Sequence, residues 1–307
     1  MQSLRFLTYG EPADVLRLED AEAPTPKPGH IRVKVHACGL NPADWALCRG
    51  LFAQDLPRGV GLDVSGIVDA VGESVTDVTV GDRVLGAAEF RAYPTAGASD
   101  YAILHAWGIA PEGLDLVDAA ALPMAIETGY RCIDLLGVTG GQTVLIYGAG
   151  SVIGFAAVQM ALLRGARVIA AAGPSLAPKL HDLGAEVTAY GDGMGERVRG
   201  LAGGAPDLIF DGGPPSDALP ALVEIAGGDG ARVLTVGNHG PKAEALGVRN
   251  SWAPPRNDML GAFAALAAEG KFYIPIARTY PLTEWRDAVV ASLSGHAHGK
   301  LVLLPGA

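Results

Sequence analysis

The sequence predicts an α/β protein with a β-rich first third followed by a doubly wound parallel sheet. Three observations predict it. Residues 31–36 alternate apolar and polar side chains, the period of a half-buried strand. From about Leu114 short apolar runs alternate with helical patterns. Between one such run and the helix after it lies the glycine turn Gly148-Ala149-Gly150-Ser151-Val152-Ile153-Gly154.

In chain order, Pro24, Pro26 and Pro28 give an extended linker into the strand at 31–36. Residues 63–71 and 82–85 are further short strands, punctuated by Gly72 and Gly81. Residues 117–122 and 125–136 read as helices. The runs 144–147, 168–171, 187–189, 208–210 and 233–236 then read as strands, with helices at 152–163, 178–183, 197–202 and 218–226. Strands that are apolar nearly throughout belong in a parallel sheet covered on both faces. Right-handed crossovers make that sheet a Rossmann-type one. After Asn250 the alternation breaks, leaving helices at 257–268 and 283–293 and a closing strand at 300–304.

Composition narrows the function. A hydrophobic content of 49% against 18% charged residues allows a sizeable core in 307 residues. A net charge of −10 argues against a nucleic-acid surface, which needs a basic stripe. Cys38, Cys48 and Cys132 are too few and too scattered for a disulfide framework or a structural zinc cluster, so a cytoplasmic location is expected. Residues 1–10 lack the apolar stretch of a signal peptide. The uncharged run 142–163 has the length of a membrane span, but its glycines and Gln159 read better as strand, turn and buried helix.

The glycine turn points to a dinucleotide. Gly148 permits the tight turn, Gly150 lets the backbone approach a pyrophosphate, and Gly154 lets the helix pack on the strand. The N–H groups of Ser151, Val152 and Ile153 are then expected to face the phosphates. An NAD site usually has an acid about 20 residues on, for the ribose 2′-hydroxyl. Here the second strand runs into Ala172-Gly173-Pro174-Ser175, with no carboxylate before Asp182. Ser175, Lys179 and Tyr190 are the candidates for a 2′-phosphate, so NADP is the expected cofactor.

Several further stretches carry a family resemblance: Ala37-Cys38-Gly39-Leu40-Asn41-Pro42-Ala43-Asp44, Gly61-Leu62-Asp63-Val64-Ser65-Gly66, Val80-Gly81-Asp82-Arg83-Val84, Thr128-Gly129-Tyr130 and Gly299-Lys300-Leu301-Val302-Leu303. With the glycine turn, they make the chain resemble, almost end to end, a medium-chain dehydrogenase/reductase of the quinone oxidoreductase branch. The resemblance implies a GroES-like β-rich catalytic domain at 1–113 and 256–307 and an NADP-binding Rossmann domain at 114–255. It also implies a homodimer, with substrate and nicotinamide meeting between the domains.

Zinc-containing relatives have Cys where this chain has Asn41, His at Leu62 and usually Cys at Met124. Leucine and methionine supply neither imidazole nor thiolate, so no zinc site is expected. Without that Lewis acid, the fitting chemistry is hydride transfer to a quinone or an enone, whose conjugated oxygen needs only hydrogen-bond donors. The expected partner is therefore a small-molecule electron acceptor, not a nucleic acid or a membrane.

Asn41 is the candidate contact to nicotinamide or acceptor oxygen, against an Asx turn with Pro42. Asp44 is expected to brace that loop. Trp45 and Phe52 are candidates for the pocket wall, with core packing the alternative for either. Some relatives carry tyrosines at Ala46 and Phe52, so the proton donor is open; Tyr93 is a substitute candidate. By resemblance Thr128 and Pro42 approach the cofactor. Gly212, Gly237, Asn238 and His239 follow the fourth and fifth strands, at the sheet edge where ligands bind. Arg249 and Trp252 are candidates for a substrate or dimer contact. The pocket-forming loops are taken as 44–58, 86–100 and 239–256.

Two rival classes share the dinucleotide signal. A short-chain dehydrogenase needs Tyr-x-x-x-Lys, and no tyrosine here has lysine four residues on. A non-catalytic NADPH-binding or crystallin-like protein is the remaining alternative.

Overall fold

The computed structural model describes residues 1–306, and divides into two compact units: Met1–Ile126 with Asn257–Ala307, and Glu127–Arg256. The first junction falls later than the change of sequence rhythm near residue 114. The reason is packing. Ser65 Oγ donates to the Leu116 carbonyl, and Ala120 is buried with Ala37 and Val302, so this stretch belongs to the terminal unit.

The terminal unit is β-rich. Its six-stranded sheet runs Ile276–Pro281, Lys300–Leu304, Ile31–Leu40, Asp63–Val71, Arg83–Ala88, Tyr101–Ile109. The last strand also pairs with Ile31–Leu40, which closes four of them into a ring. A smaller sheet joins Leu16–Asp20, Gln2–Phe6 and Arg58–Gly59. The core beneath contains Phe6, Ile31, Val64, Leu104, Trp285 and Leu303.

The central unit holds a six-stranded, all-parallel sheet. Its order is Glu186–Thr188, Arg167–Ala171, Thr143–Tyr147, Leu208–Asp211, Val233–Thr235, Arg249–Asn250. By position along the chain this is 3-2-1-4-5-6, the doubly wound order that reverses beside the first strand. The uncharged run at 142–163 is here the strand Thr143–Tyr147 and the helix Val152–Leu163. That helix is apolar all round because residues 154–161 are all buried. No helix among the described residues is long and apolar enough to cross a membrane.

Candidate functional site

The glycine turn forms as its residues dictate. Gly148 has φ +77°, and a Cβ there would lie 2.3 Å from the Gly213 nitrogen. A Cβ on Gly154 would lie 2.1 Å from the Gly148 oxygen, so the helix start seats directly on the turn. Gly150 differs: its nearest neighbour would be the Ala172 Cβ at 4.0 Å, which leaves open space in front of the turn.

Ser151 caps the helix, its Oγ accepting from the Gly154 N–H at 2.9 Å and donating to the Gly212 carbonyl at 2.7 Å. The Ser151 N–H donates to the Gly148 carbonyl, so it is not free for phosphate as expected. Among the described residues, the N–H groups of Val152 and Ile153 find no acceptor, and both residues are half-buried. They are the two donors this helix start has to offer an anion.

Tyr190 packs edge-on against Tyr147, with ring centroids 5.2 Å apart. Burial pushes the Tyr190 phenol up to about 12. Ser175 and Lys179 are exposed. Arg197, which sequence reading left out, reaches the same sheet edge: it donates to Thr188 Oγ1 and to the carbonyls of Ala189 and Asp192.

Behind the turn stands Asp211, fully buried and also missed, because the fourth strand was expected to end at Phe210. Its carboxylate accepts from Asn238 Nδ2 at 2.7 Å, Thr235 Oγ1 at 2.8 Å and the Gly213 N–H at 3.2 Å. Asn238 Oδ1 in turn takes the Ser216 N–H at 2.7 Å. One acid thus ties together the loops after the fourth and fifth strands, which carry Gly212, Gly237 and Asn238. Burial raises its pKa above the ordinary carboxylate value.

Thr128 gives its hydroxyl to the Glu127 carboxylate at 2.7 Å, and Glu127 also pairs with Arg131 at 2.5 Å. Arg249 donates to the Leu135 carbonyl. Trp252 is 70% exposed, 5.6 Å from the His239 ring.

In the terminal unit, the stretch from residue 44, expected as loop, begins inside the helix Pro42–Cys48. Pro42 supplies its first turn, and Asp44 reaches back to the Asn41 N–H at 2.8 Å. Asp44 also accepts the Gly61 N–H at 2.7 Å, the bracing role expected of it. Burial raises its pKa to about 7.

The Asn41 amide is engaged on both sides. Its oxygen accepts from Lys300 Nζ at 2.5 Å, and its nitrogen donates to Asp63 Oδ2 at 3.1 Å. Lys300 Nζ lies 2.6 Å from Asp63 Oδ2, and the Met124 N–H donates to Asp63 Oδ1. Lys300, read in the sequence only as part of a motif, is 1% exposed.

Of the pocket candidates, two are committed to the interior. Trp45 is 2% exposed and donates to Ser292 Oγ at 2.7 Å. Tyr93 donates to the Thr25 carbonyl and accepts the Lys27 N–H, so its hydroxyl is already used. Phe52 is 46% exposed with φ +53°, under Arg91. The cysteines are buried, and burial pushes Cys48 and Cys132 up to about 12, far from nucleophilic thiolates.

Residues 27–116 match the alcohol dehydrogenase GroES-like domain family, and residues 131–303 match the zinc-binding dehydrogenase family. The chain is 33% identical over 186 residues to a quinone oxidoreductase of Homo sapiens, a stretch covering 59% of this chain and 55% of that relative. The chain thus spans about half the length of the curated relatives of that kind. It is 28% identical to a chloroplast envelope quinone oxidoreductase homolog of Arabidopsis thaliana, covering 99% of this chain and 98% of the other. The solved structure of the quinone oxidoreductase from Coxiella burnetii superposes with a TM-score of 0.84 at 26% identity, covering 99% of each chain.

Proposed function

This chain belongs to the zinc-binding dehydrogenase family, and from that premise we propose that it is a zinc-independent, NADPH-dependent reductase transferring hydride to a quinone or an α,β-unsaturated carbonyl compound. The observation that carries the reading is the helix start at Val152. Two N–H groups without acceptors stand there, beside a glycine whose missing Cβ leaves room for a pyrophosphate.

The residues present do not fit zinc. Leu62 and Met124 lack ligating nitrogen or thiolate, and the Asn41 oxygen is held by the Lys300 ammonium. No step therefore runs through a metal.

They do fit a dinucleotide. Val152 and Ile153 would hold the pyrophosphate, with the helix dipole adding to the attraction. The absence of a carboxylate from Ala172 to Ser175 favours NADP over NAD, and the exposure of Ser175 and Lys179 supports them as the groups to meet a 2′-phosphate. Asp211 holds Asn238 and the Gly213 backbone through hydrogen bonds from neutral donors, so these loops need little reordering on binding. When bound, the reduced nicotinamide supplies a hydride, and a proton from water completes the reduction of the acceptor. No side chain is needed to form an alkoxide.

We also propose the homodimer that the family resemblance implies. The exposed Trp252 beside the edge strand Arg249–Asn250 supports it. A cytoplasmic location is proposed on the three free, buried cysteines.

The test is stopped-flow oxidation of NADPH and of NADH against quinones, enones and enoyl thioesters. NADPH consumption with a quinone or an enone is expected. A clear NADH preference overturns the cofactor assignment. Tight NADPH binding with no turnover across the panel leaves a non-catalytic NADPH-binding protein.

A further inference from the structure

Arg58 and Arg91, two of several arginines of the terminal unit with no ion-paired carboxylate among the described residues, both meet Phe52 and Phe90. Arg58 is 2% exposed; it donates to the carbonyl oxygens of Phe52 at 2.8 Å and Phe90 at 3.4 Å, and its Nε has no partner. Among the described residues, no carboxylate lies within 4 Å of either the Arg58 or the Arg91 guanidinium. A buried guanidinium ordinarily comes with a counter-ion, because desolvating a lone charge is costly.

Arg91 is exposed, with its guanidinium carbon 4.7 Å from the ring centroid of Phe52 and 5.3 Å from that of Phe90. The Glu89 carboxylate accepts the backbone N–H groups of Arg91 and Ala92, which fixes the turn that presents the guanidinium. Phe52 itself holds φ +53°, a conformation a bulky side chain rarely adopts, and leaves nearly half its surface in water. Strain and exposure coincide where the two unmatched charges converge. Backbone outliers of this kind cluster at ligand contacts.

Resting on the reductase reading above, we propose that the acceptor is a planar conjugated carbonyl compound bearing a negatively charged group. Its ring lies against Phe52 and its anion is gripped by Arg91, while Arg58 adds its field from below. A flat guanidinium offers a carboxylate or sulfonate two parallel N–H donors, and the phenyl ring supplies a stacking surface for the conjugated part. The rest of the chain is acidic, with a net charge of −10, so a local pair of unmatched arginines also selects where an anion can approach.

The experiment compares NADPH-dependent reduction of 1,2-naphthoquinone with that of 1,2-naphthoquinone-4-sulfonate, by the full chain and by Arg91→Gln and Arg91→Lys variants. The wild type should favour the sulfonate in kcat/KM. Arg91→Gln should cut the sulfonate-to-neutral ratio about tenfold, the size expected for one charge-assisted contact. Arg91→Lys should restore part of it, since the charge returns without the planar fork. Raising salt to 0.5 M should shrink the wild-type ratio more than that of Arg91→Gln, which keeps only the field of Arg58. A wild-type ratio at or below one, or a ratio that Arg91→Gln does not change, overturns the proposal while leaving the reductase reading intact. If neither quinone is reduced, the reductase reading fails and this inference falls with it.

Discussion

Asp63 in the terminal unit and Asp211 in the central unit are both buried carboxylates near strand ends, and they meet the cost of burial in opposite ways. Asp63 faces a full ammonium: Lys300 Nζ lies 2.6 Å away, and Asn41 and the Met124 N–H complete its shell. Asp211 has only neutral donors, from Asn238, Thr235 and Gly213. The first arrangement pins the closing strand Lys300–Leu304 to the turn at Asn41, two segments far apart in sequence. The second holds two loops that border the glycine turn. An ion pair suits a fixed structural joint, whereas neutral donors leave the carboxylate able to take up a proton without losing every partner.

The widest difference should come from removing one partner in each. Lys300→Met leaves Asp63 buried and unpaired, at a cost of about 3–5 kcal/mol, read from urea unfolding. The double change Asp63→Asn with Lys300→Met should lose less than Lys300→Met alone. A cost below about 1 kcal/mol would mean that the pair is not the joint described. Asp211→Asn should cost less, about 1–3 kcal/mol, because one amide hydrogen then faces a donor. Its clearer sign should be weaker NADPH binding in a fluorescence titration, as Asn238 is released. Unchanged NADPH affinity would separate the Asp211 network from the cofactor site.

The pH dependence sharpens the contrast. Burial raises Asp44 to about 7 and raises Asp211 as well, both from the ordinary aspartate value of 3.8. The folded state therefore binds more protons than the unfolded one between about pH 4 and 7, and stability falls as pH rises through that window. The slope has a ceiling of about 1.4 kcal/mol per pH unit for each proton. Unfolding free energies measured from pH 5 to 8 should decline and then level off. Asp44→Asn should make the decline shallower. Stability that rises over this range would exclude the raised pKa values. The smallest effect belongs to Tyr190→Ala, which removes the edge-on contact with Tyr147; about 0.5–1.5 kcal/mol should be lost, seen as a shift in thermal midpoint.

Much of the scaffold was legible because it repeats a local rule. The helix Val152–Leu163 and the strands Asp63–Val71 and Lys300–Leu304 have the bounds that periodicity and glycine spacing suggested. Tyr101–Ile109 went unread because it pairs on both sides in a closed ring and shows no clean alternation. Gln2–Phe6, Leu16–Asp20 and Arg58–Gly59 are short, and charged residues interrupt them. The helix Pro42–Cys48 hid behind Asn-Pro, which reads equally as a turn and as a capped helix start.

The amino-acid sequence by itself determined the parallel βα core, the glycine turn and the residues that cannot bind zinc. Each depends on spacing or side-chain chemistry within one segment. Only the tertiary structure decided that Ser151 turns its N–H inward, that Tyr93 and Trp45 are spent in the interior, and that Lys300 is buried against Asp63. It also decided that Arg58 and Arg91 stand without an acid. Hydrogen-bond partners and counter-charges come from segments tens to hundreds of residues away, and local periodicity carries no record of which of them will meet.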